Sequence, residues 1–417
     1  MNLTKMKKLL FGGLSFIMVG NFLSKAVSMI SSIVVARVVD KAEYGYLAYA
    51  DNLYQYIGLF TGLGLASALL VVCTPDVSLE KQHAYLRKAV IRGGVFELAM
   101  SILLCVLAQT VAIPFPEARK YIWLLIAIPP VSFTFNAMQA FVRVKRNNKL
   151  YATLGVIQTA AICVFGIGFV LLLDAIGLVI ARYLAVFIVL VLAIRYIRKT
   201  DGAVVCEQLN REENKKYMST ALSLMLANMF SGMLPINESF IINHLIKDEM
   251  VTANFRVAGS FPSLIILITS AIMVYYFPII AAMKDGKQIK KTVFQLAGIN
   301  GVLILTATAV GMLLTPFFLK LLYGAKYANA VPLTYPLWIM RAINAMFRMV
   351  PLNVLPAIGK AKFSAVVSVC TCVVHGVLDY LFISWWNVGG IAYAAMIVYV
   401  LSGCAMWICL LRTCAKK

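Results

Sequence analysis

Charge is scarce in this 417-residue chain: only 13% of residues are Asp, Glu, Lys or Arg, 17 are acidic, and three are histidine. Soluble domains carry roughly 25% charged residues, so this composition excludes a soluble globular fold. Cysteine pairing is also missing. The nine cysteines are scattered with no CxxC pair, and Cys370 and Cys372 point to different helix faces. They read as small apolar packing residues rather than a disulfide framework or metal knuckle. No phosphate-cradling loop is present. Gly62 and Gly64 in TGLGLAS lack the trailing glycine and lysine of a nucleotide loop, so ATP hydrolysis within this chain is not expected. Nor is any loop long enough to form a soluble domain. The longest polar stretch, RYIRKTDGAVVCEQLNREENKK, covers residues 195–216.

Apolar sequence fills the rest: 62% of residues are hydrophobic and the mean hydropathy is +0.87. Runs of roughly 20 residues, each long enough to span a bilayer, recur along the chain. Twelve are read, at about 9–34, 44–72, 89–112, 120–142, 151–173, 176–196, 217–245, 251–281, 292–315, 331–357, 364–384 and 390–411. The expectation is an all-α polytopic membrane protein with about twelve transmembrane helices and no cofactor. The polar stretch divides the spans six and six, giving expected units at 1–196 and 217–417 joined by a connector at 197–216. Lys5, Lys7 and Lys8 before the first run mimic a signal peptide, but the run is too long and no clean cleavage site follows, so it is read as the first span.

The net charge of +21 raises the question of a nucleic-acid partner, and its distribution answers it. With both termini inside, the inner loops hold 26 basic residues and the outer loops seven. That asymmetry is the positive-inside rule, so both ends are expected to be cytoplasmic and no nucleic acid is needed.

Five basic residues remain within spans: Lys25, Arg182, Arg256, Arg341 and Arg348. The acidic ones there are Asp51, Glu97, Glu238 and Asp379. An arginine near the bilayer centre costs at least ~2.5 kcal/mol, so such residues mark either paired charges or a hydrated pathway. Arg341 and Arg348 lie seven residues apart, which returns nearly to the same azimuth on an α-helix, and Asn344 shares that stripe. Pro332, Pro336, Pro351 and Pro356 bracket them and predict a broken helix. Helical spacing also gathers Asp51, Gln55, Gly58 and Gly62 on one face of the second span. It likewise sets His375 four residues before Asp379, a candidate proton-responsive pair. The candidate substrate-binding set is therefore Lys25, Arg256, Arg341, Asn344 and Arg348. The candidate coupling set, for a proton or sodium ion, is Asp51, Glu238, His375 and Asp379. Pairing of the arginines with Asp379 and Glu238 as structural salt bridges is the alternative. The segments IVVARVVDKAEYGYLAYA and FIINHLIKDEMVTANFRVA share only a pattern of apolar run, charged turn and apolar run, which by itself does not establish a repeat.

Three segments carry a family resemblance: VVARVVDKAEYGYLAYADNLYQYIGLFTGLGLASALL, LLYGAKYANAVPL and PAIGKAKF. Their order and spacing resemble the polysaccharide flippases of the multidrug/oligosaccharidyl-lipid/polysaccharide exporter superfamily. The turn Asp40-Lys41-Ala42 departs from that family's usual Leu-Gly-Pro type. The resemblance implies two six-helix bundles around a central cavity, working by alternating access without enzymatic chemistry. It implies as substrate a polyprenyl-pyrophosphate-linked glycan, moved across a bacterial inner membrane, with a polysaccharide polymerase as a possible partner. Arg341, Arg348 and Lys25 are suited to its pyrophosphate, and Tyr54, Tyr393 and Tyr399 to stacking on sugars. The competing readings are a multidrug/cation antiporter of the same fold, a membrane polysaccharide polymerase or ligase, and a channel or passive scaffold.

Overall fold

A computed structural model describes residues 15–73 and 77–416. Residues 9–14 of the first expected span, and Lys5, Lys7 and Lys8, lie outside the described residues. Among the described residues every regular element is helical. The chain divides into two compact units, Met1–Met229 and Phe230–Lys417, with the division falling inside one long helix.

In the first unit, α1 (Ser15–Val38) packs chiefly on the long α7 introduced below. Asp40 caps α2 (Lys41–Phe60), accepting hydrogen bonds from the amides of Ala42 at 2.9 Å and Glu43 at 3.3 Å. A 3-10 turn, Thr61–Gly64, then interrupts the span before α3 (Leu65–Val72). Next come α4 (Leu79–Thr110), the short α5 (Arg119–Leu124) and α6 (Ile128–Val144). Pro129 and Pro130 lack the amide hydrogens that a continuous α5–α6 helix would need, so the fourth span breaks there. Leu65, Leu69, Tyr85, Phe133, Phe141 and Tyr217 form the main core of this unit.

Residues Asn148–Asp201 form α7, at 54 residues far longer than any bilayer requires. It is two helices joined at Asp174, whose φ of 51° and ψ of −142° are non-helical. Gly177 lets the second arm turn back on the first, since a Cβ there would lie 2.3 Å from the Phe169 carbonyl carbon. The fifth and sixth expected spans are this hairpin.

Helix α8 (Arg211–Ile246) opens with a capping box: Asn210 Oδ1 accepts from the Glu213 amide at 2.7 Å, and Glu213 Oε2 accepts from the Asn210 amide at 2.9 Å. The second unit continues with α9 (Glu249–Ala258), a 3-10 turn at Pro262–Ile265, α10 (Ile266–Ala282), α11 (Gly286–Tyr323), α12 (Val331–Ile343), a π-helical turn at Asn344–Arg348, and α13 (Met349–Ala357). Helices α14 (Ala361–Trp386) and α15 (Gly389–Lys416) close it. Ile280, Ile289, Val293, Val350, Val354 and Met406 are central to its core.

The two halves repeat one another in local detail. Asp248 caps α9 through the amides of Met250 at 2.8 Å and Val251 at 3.1 Å, the same i+2, i+3 pattern as Asp40. A 3-10 turn breaks both the second span (Thr61–Gly64) and the eighth (Pro262–Ile265). A short 3-10 helix precedes both broken spans, Pro116–Ala118 before α5 and Ala325–Ala330 before α12. Asn387, with φ 56° and ψ −148°, turns α14 into α15 as Asp174 turns α7 on itself. Gly390 again follows three residues later, where a Cβ would meet the Phe382 carbonyl oxygen at 2.1 Å. FVLLLDAIG and FISWWNVGG are thus one hairpin motif used twice, and the shared pattern at Asp40 and Asp248 is structural.

Among the described residues, nine helices are long and apolar enough to cross a membrane, against twelve expected stretches. The difference has local causes. The two arms of the α7 hairpin, joined at Asp174, count once although each corresponds to an expected stretch. Span 331–357 is cut into three pieces by its prolines and π turn. Helix α8 interrupts its apolar stretch with Pro235, Asn237 and Glu238.

Candidate functional site

The arginine stripe of the tenth span sits on a helix that its prolines have opened. Pro351 lacks the amide that would bond to the Phe347 carbonyl, and the indole Nε1 of Trp407 donates to that oxygen instead, at 2.9 Å. In the π turn the Ala345 carbonyl accepts from Asn300 Nδ2 at 3.0 Å and from Thr269 Oγ1 at 3.4 Å. Every stretched carbonyl named here is met by a neighbouring helix. The π turn falls between Arg341 and Arg348, and both side chains reach Tyr399.

The two arginines differ in their other partners. Arg341 Nη2 donates to Glu238 Oε2 at 2.9 Å, and that carboxylate is 1% exposed. Tyr399 donates its hydroxyl to Glu238 Oε1 at 3.3 Å. Arg348, 5% exposed, lies with its guanidinium carbon 5.7 Å from the Tyr399 ring centroid, and its Nε and Nη2 have no hydrogen-bond partner among the described residues. The His375 ring stacks on Tyr399 at 6.0 Å, and His375 Nδ1 approaches Asp379 Oδ2 to 2.8 Å, close but outside hydrogen-bond geometry. His375 and Asp379 are fully buried. Asn344 is buried at the start of the π turn with its Oδ1 unpartnered.

Glu238, Arg341, Arg348, His375 and Asp379 therefore converge within the second unit, with Tyr399 at their centre. The cluster holds two guanidiniums and two carboxylates, so it is balanced in formal charge when His375 is neutral. Tyr399, expected as a sugar-stacking platform, has its ring against Arg348 and His375, whereas Tyr393 is 44% exposed. Arg256 is half-buried at the end of α9.

Lys25 and Asp51 belong to the first unit. Lys25 is exposed on α1. Asp51 is held bidentately by Arg182 of the second arm of α7, at 2.5 and 2.9 Å. That pair lines a cavity of about 690 Å³ together with Gln55, Glu97, Asn136 and Arg143. Asp51, Gln55 and Gly58 line this cavity, whereas Gly62, the fourth residue of that expected stripe, packs against Phe133 in the turn that follows.

Three of these residues were not assigned a role from sequence. Arg182 and Glu97 register only as intramembrane charges, and Arg143 counts as a loop cation although it lines the cavity. Glu97 is the most informative. Its Oε1 accepts from the Gly62 amide at 2.6 Å, inside a turn whose four residues, Thr61 to Gly64, have φ of 38°, 52°, 60° and 74°. A left-handed turn costs about 1–2 kcal/mol per non-glycine residue, so Thr61 and Leu63 are strained. Phe133 fits against both Gly62 and Gly93, where added Cβ atoms would lie 2.2 and 2.1 Å from its ring. Tyr217 steadies the far side by donating to the Leu65 carbonyl at 2.9 Å.

Solved structures share this architecture. An inward-facing multidrug resistance MATE family transporter of the MOP superfamily superposes with a TM-score of 0.75 at 14% identity, covering 94% of this chain and 95% of that one. The lipid II flippase MurJ in its inward closed conformation gives 0.76 at 12% identity, covering 95% and 88%. A MOP superfamily transporter from Pyrococcus furiosus, described as having a binding pocket of reversed polarity, gives 0.66 at 14% identity with both chains fully covered. No curated protein matches the sequence significantly. The family model described as polysaccharide biosynthesis protein matches residues 34–332, well over half of the chain. The chain thus belongs to the polysaccharide biosynthesis protein family and is a multi-pass membrane protein with the MOP fold of the MATE transporters and MurJ.

Proposed function

We propose that the protein is a flippase that moves a polyprenyl-pyrophosphate-linked oligosaccharide across the bacterial inner membrane by alternating access, for surface polysaccharide biosynthesis. Family membership supports the glycan and the fold supports transport. The observation that carries the mechanism is the Arg341–Glu238 ion pair, 21% exposed on the arginine side and 1% on the glutamate side. A carboxylate and a pyrophosphate compete for the same guanidinium. Proton or sodium binding at Glu238 or at the His375–Asp379 pair releases Arg341, which with Arg348 and Asn344 then holds the anionic head group; Lys25 and Arg256 supply further positive charge. Return of the carboxylate to Arg341 expels the head group. In the first unit Asp51, engaged by Arg182, is the corresponding exchangeable pair.

The excess of basic residues in alternate loops supports cytoplasmic termini. The polar stretch at 195–216 then faces the cytoplasm, where a polysaccharide polymerase or another assembly partner can reach it. The units at 1–196 and 217–417, joined by that connector, act as the two moving bundles.

The test is leaflet exchange of a fluorescent polyprenyl-pyrophosphate oligosaccharide in proteoliposomes under imposed proton or sodium gradients. The Arg341→Lys/Arg348→Lys variant keeps both charges and loses only the bidentate fork, so it is the informative comparison. Gradient-dependent exchange in the wild type, weakened at least tenfold in the variant, is the expected result. Absence of exchange under every gradient, with efflux of cationic dyes instead, overturns it in favour of the antiporter reading that the MATE likeness favours.

A further inference from the structure

Glu97 lies on α4 in the first unit, apart from the charged cluster of the second. It is 3% exposed, and among the described residues Oε1 meets only the Gly62 amide while the buried Oε2 has no hydrogen-bond partner. Among the described residues no lysine or arginine forms an ion pair with it. An ionised carboxylate held by one amide, without a counter-charge, is poorly solvated in such a place. A metal cage is not available either, since hard cations need several oxygen ligands and no group of three acidic, histidine or cysteine side chains gathers among the described residues. A proton satisfies the same carboxylate with nothing added.

The charged and titratable side chains on the adjoining cavity wall are Asp51 and Tyr54 of α2, Arg143 of α6, and Tyr151 and Arg182 of α7. Asp51 and Arg182 neutralise each other at 2.5 Å. Arg143 stacks on Tyr151 at 5.6 Å, and Tyr54 donates to the Ile122 carbonyl at 2.6 Å. None of these arrangements takes up the free oxygen of Glu97. The cavity of about 690 Å³ gives protons an approach to the residue.

We propose that Glu97 is a proton-binding site of the first unit, and that its charge state sets how firmly the left-handed turn Thr61–Gly64 is held. As a carboxylate, Glu97 anchors the Gly62 amide through a charge-assisted hydrogen bond. As a carboxylic acid it holds that amide weakly, its second oxygen becomes a donor toward the cavity, and the strained turn is freed to rewind and join α2 to α3. Proton binding thereby changes the shape of the second span.

Two readouts on the full-length protein in nanodiscs test this, and neither requires a glycan. The first is the carbonyl stretch of a neutral carboxyl group in pH-difference infrared spectra. The second is amide exchange over residues 61–65, corrected for intrinsic rates. The wild type should show a titrating carboxyl band, absent from Glu97→Gln. At a pH where Glu97 is ionised, Glu97→Gln should exchange these amides about tenfold faster, the ratio expected when a charge-assisted hydrogen bond becomes a neutral one. Glu97→Asp, which titrates but is one methylene too short to hold Gly62, should keep a band and show fast exchange at every pH. That variant also separates loss of the anchor from misfolding. A spectrum unchanged by Glu97→Gln overturns the proton site. Equal exchange in all three proteins overturns the coupling to the turn.

Discussion

Arg341 and Glu238 form an ion pair at 2.9 Å between the tenth span and α8, 103 residues apart in sequence and buried on the glutamate side. Glu238 is 1% exposed, so removing the cation alone strands a carboxylate that also holds Tyr399. Arg341→Ala should therefore destabilise the protein by about 3–5 kcal/mol. The Arg341→Met/Glu238→Gln double variant should recover most of that loss, because both charges leave together. Thermal unfolding of the wild type, both singles and the double, in one detergent, checks the expectation. A double variant as unstable as the worse single would show that the pair is not coupled.

Trp407 and Pro351 are linked through one carbonyl. The indole donates to Phe347 O because Pro351 has no hydrogen to give. Trp407→Phe leaves that half-buried oxygen without its donor, a loss of about 1 kcal/mol beyond the change in packing. Adding Pro351→Ala restores a backbone donor in register with Phe347 and should return part of the stability, although the same change alone would tend to close the π turn. The measurement is the melting temperature of the two single variants and the double. Additive losses would mean that the proline and the indole act independently.

The spans were legible in the sequence because lipid demands long apolar runs, and each of the twelve stretches has a helix or a hairpin arm behind it. The broken tenth span was legible from its four prolines, and the cavity face of α2 from the spacing of Asp51, Gln55 and Gly58. Partner choice was not. Arg182 reaches Asp51 from 131 residues away, and helical periodicity carries no information about which helices meet. Uniform α geometry also gave no sign of the five-residue π turn that separates Arg341 from Arg348. The left-handed turn at Thr61–Gly64 had its signal in the two glycines of TGLGLAS, but its anchor on Glu97 is a tertiary contact.

Asp174 and Asn387 hold the same positive-φ turn in the two hairpins, a conformation that glycine adopts without strain. Asp174→Gly and Asn387→Gly should each be neutral or stabilising, by up to ~1 kcal/mol. Gly177→Ala and Gly390→Ala should each destabilise by about 1–3 kcal/mol, since the new Cβ would lie 2.3 and 2.1 Å from backbone atoms of the facing arm. Melting temperatures of the four variants decide it. Opposite signs within a pair, such as Gly177→Ala harmful and Gly390→Ala harmless, would show that the repeat is formal rather than energetic.

Glu213 ties the start of α8 to α4 and to its own cap. Oε1 accepts from Lys81 Nζ at 2.7 Å while Oε2 accepts from the Asn210 amide at 2.9 Å. The Lys81 hydrogen bond, then the Asn210 amide, hold its carboxyl below the usual glutamate range. A carboxyl depressed in the folded state contributes stability that is fully present above the unfolded value of about 4.3 and lost as pH falls through the lower folded value. Acidification through that window should therefore release the bridge and the capping box together. Glu213→Gln should flatten the acid limb of the melting-temperature profile and lower stability at neutral pH. Lys81→Met, which leaves the cap intact, should shift the limb toward higher pH without abolishing it. An acid limb identical in wild type and Glu213→Gln would assign the pH response to other carboxylates.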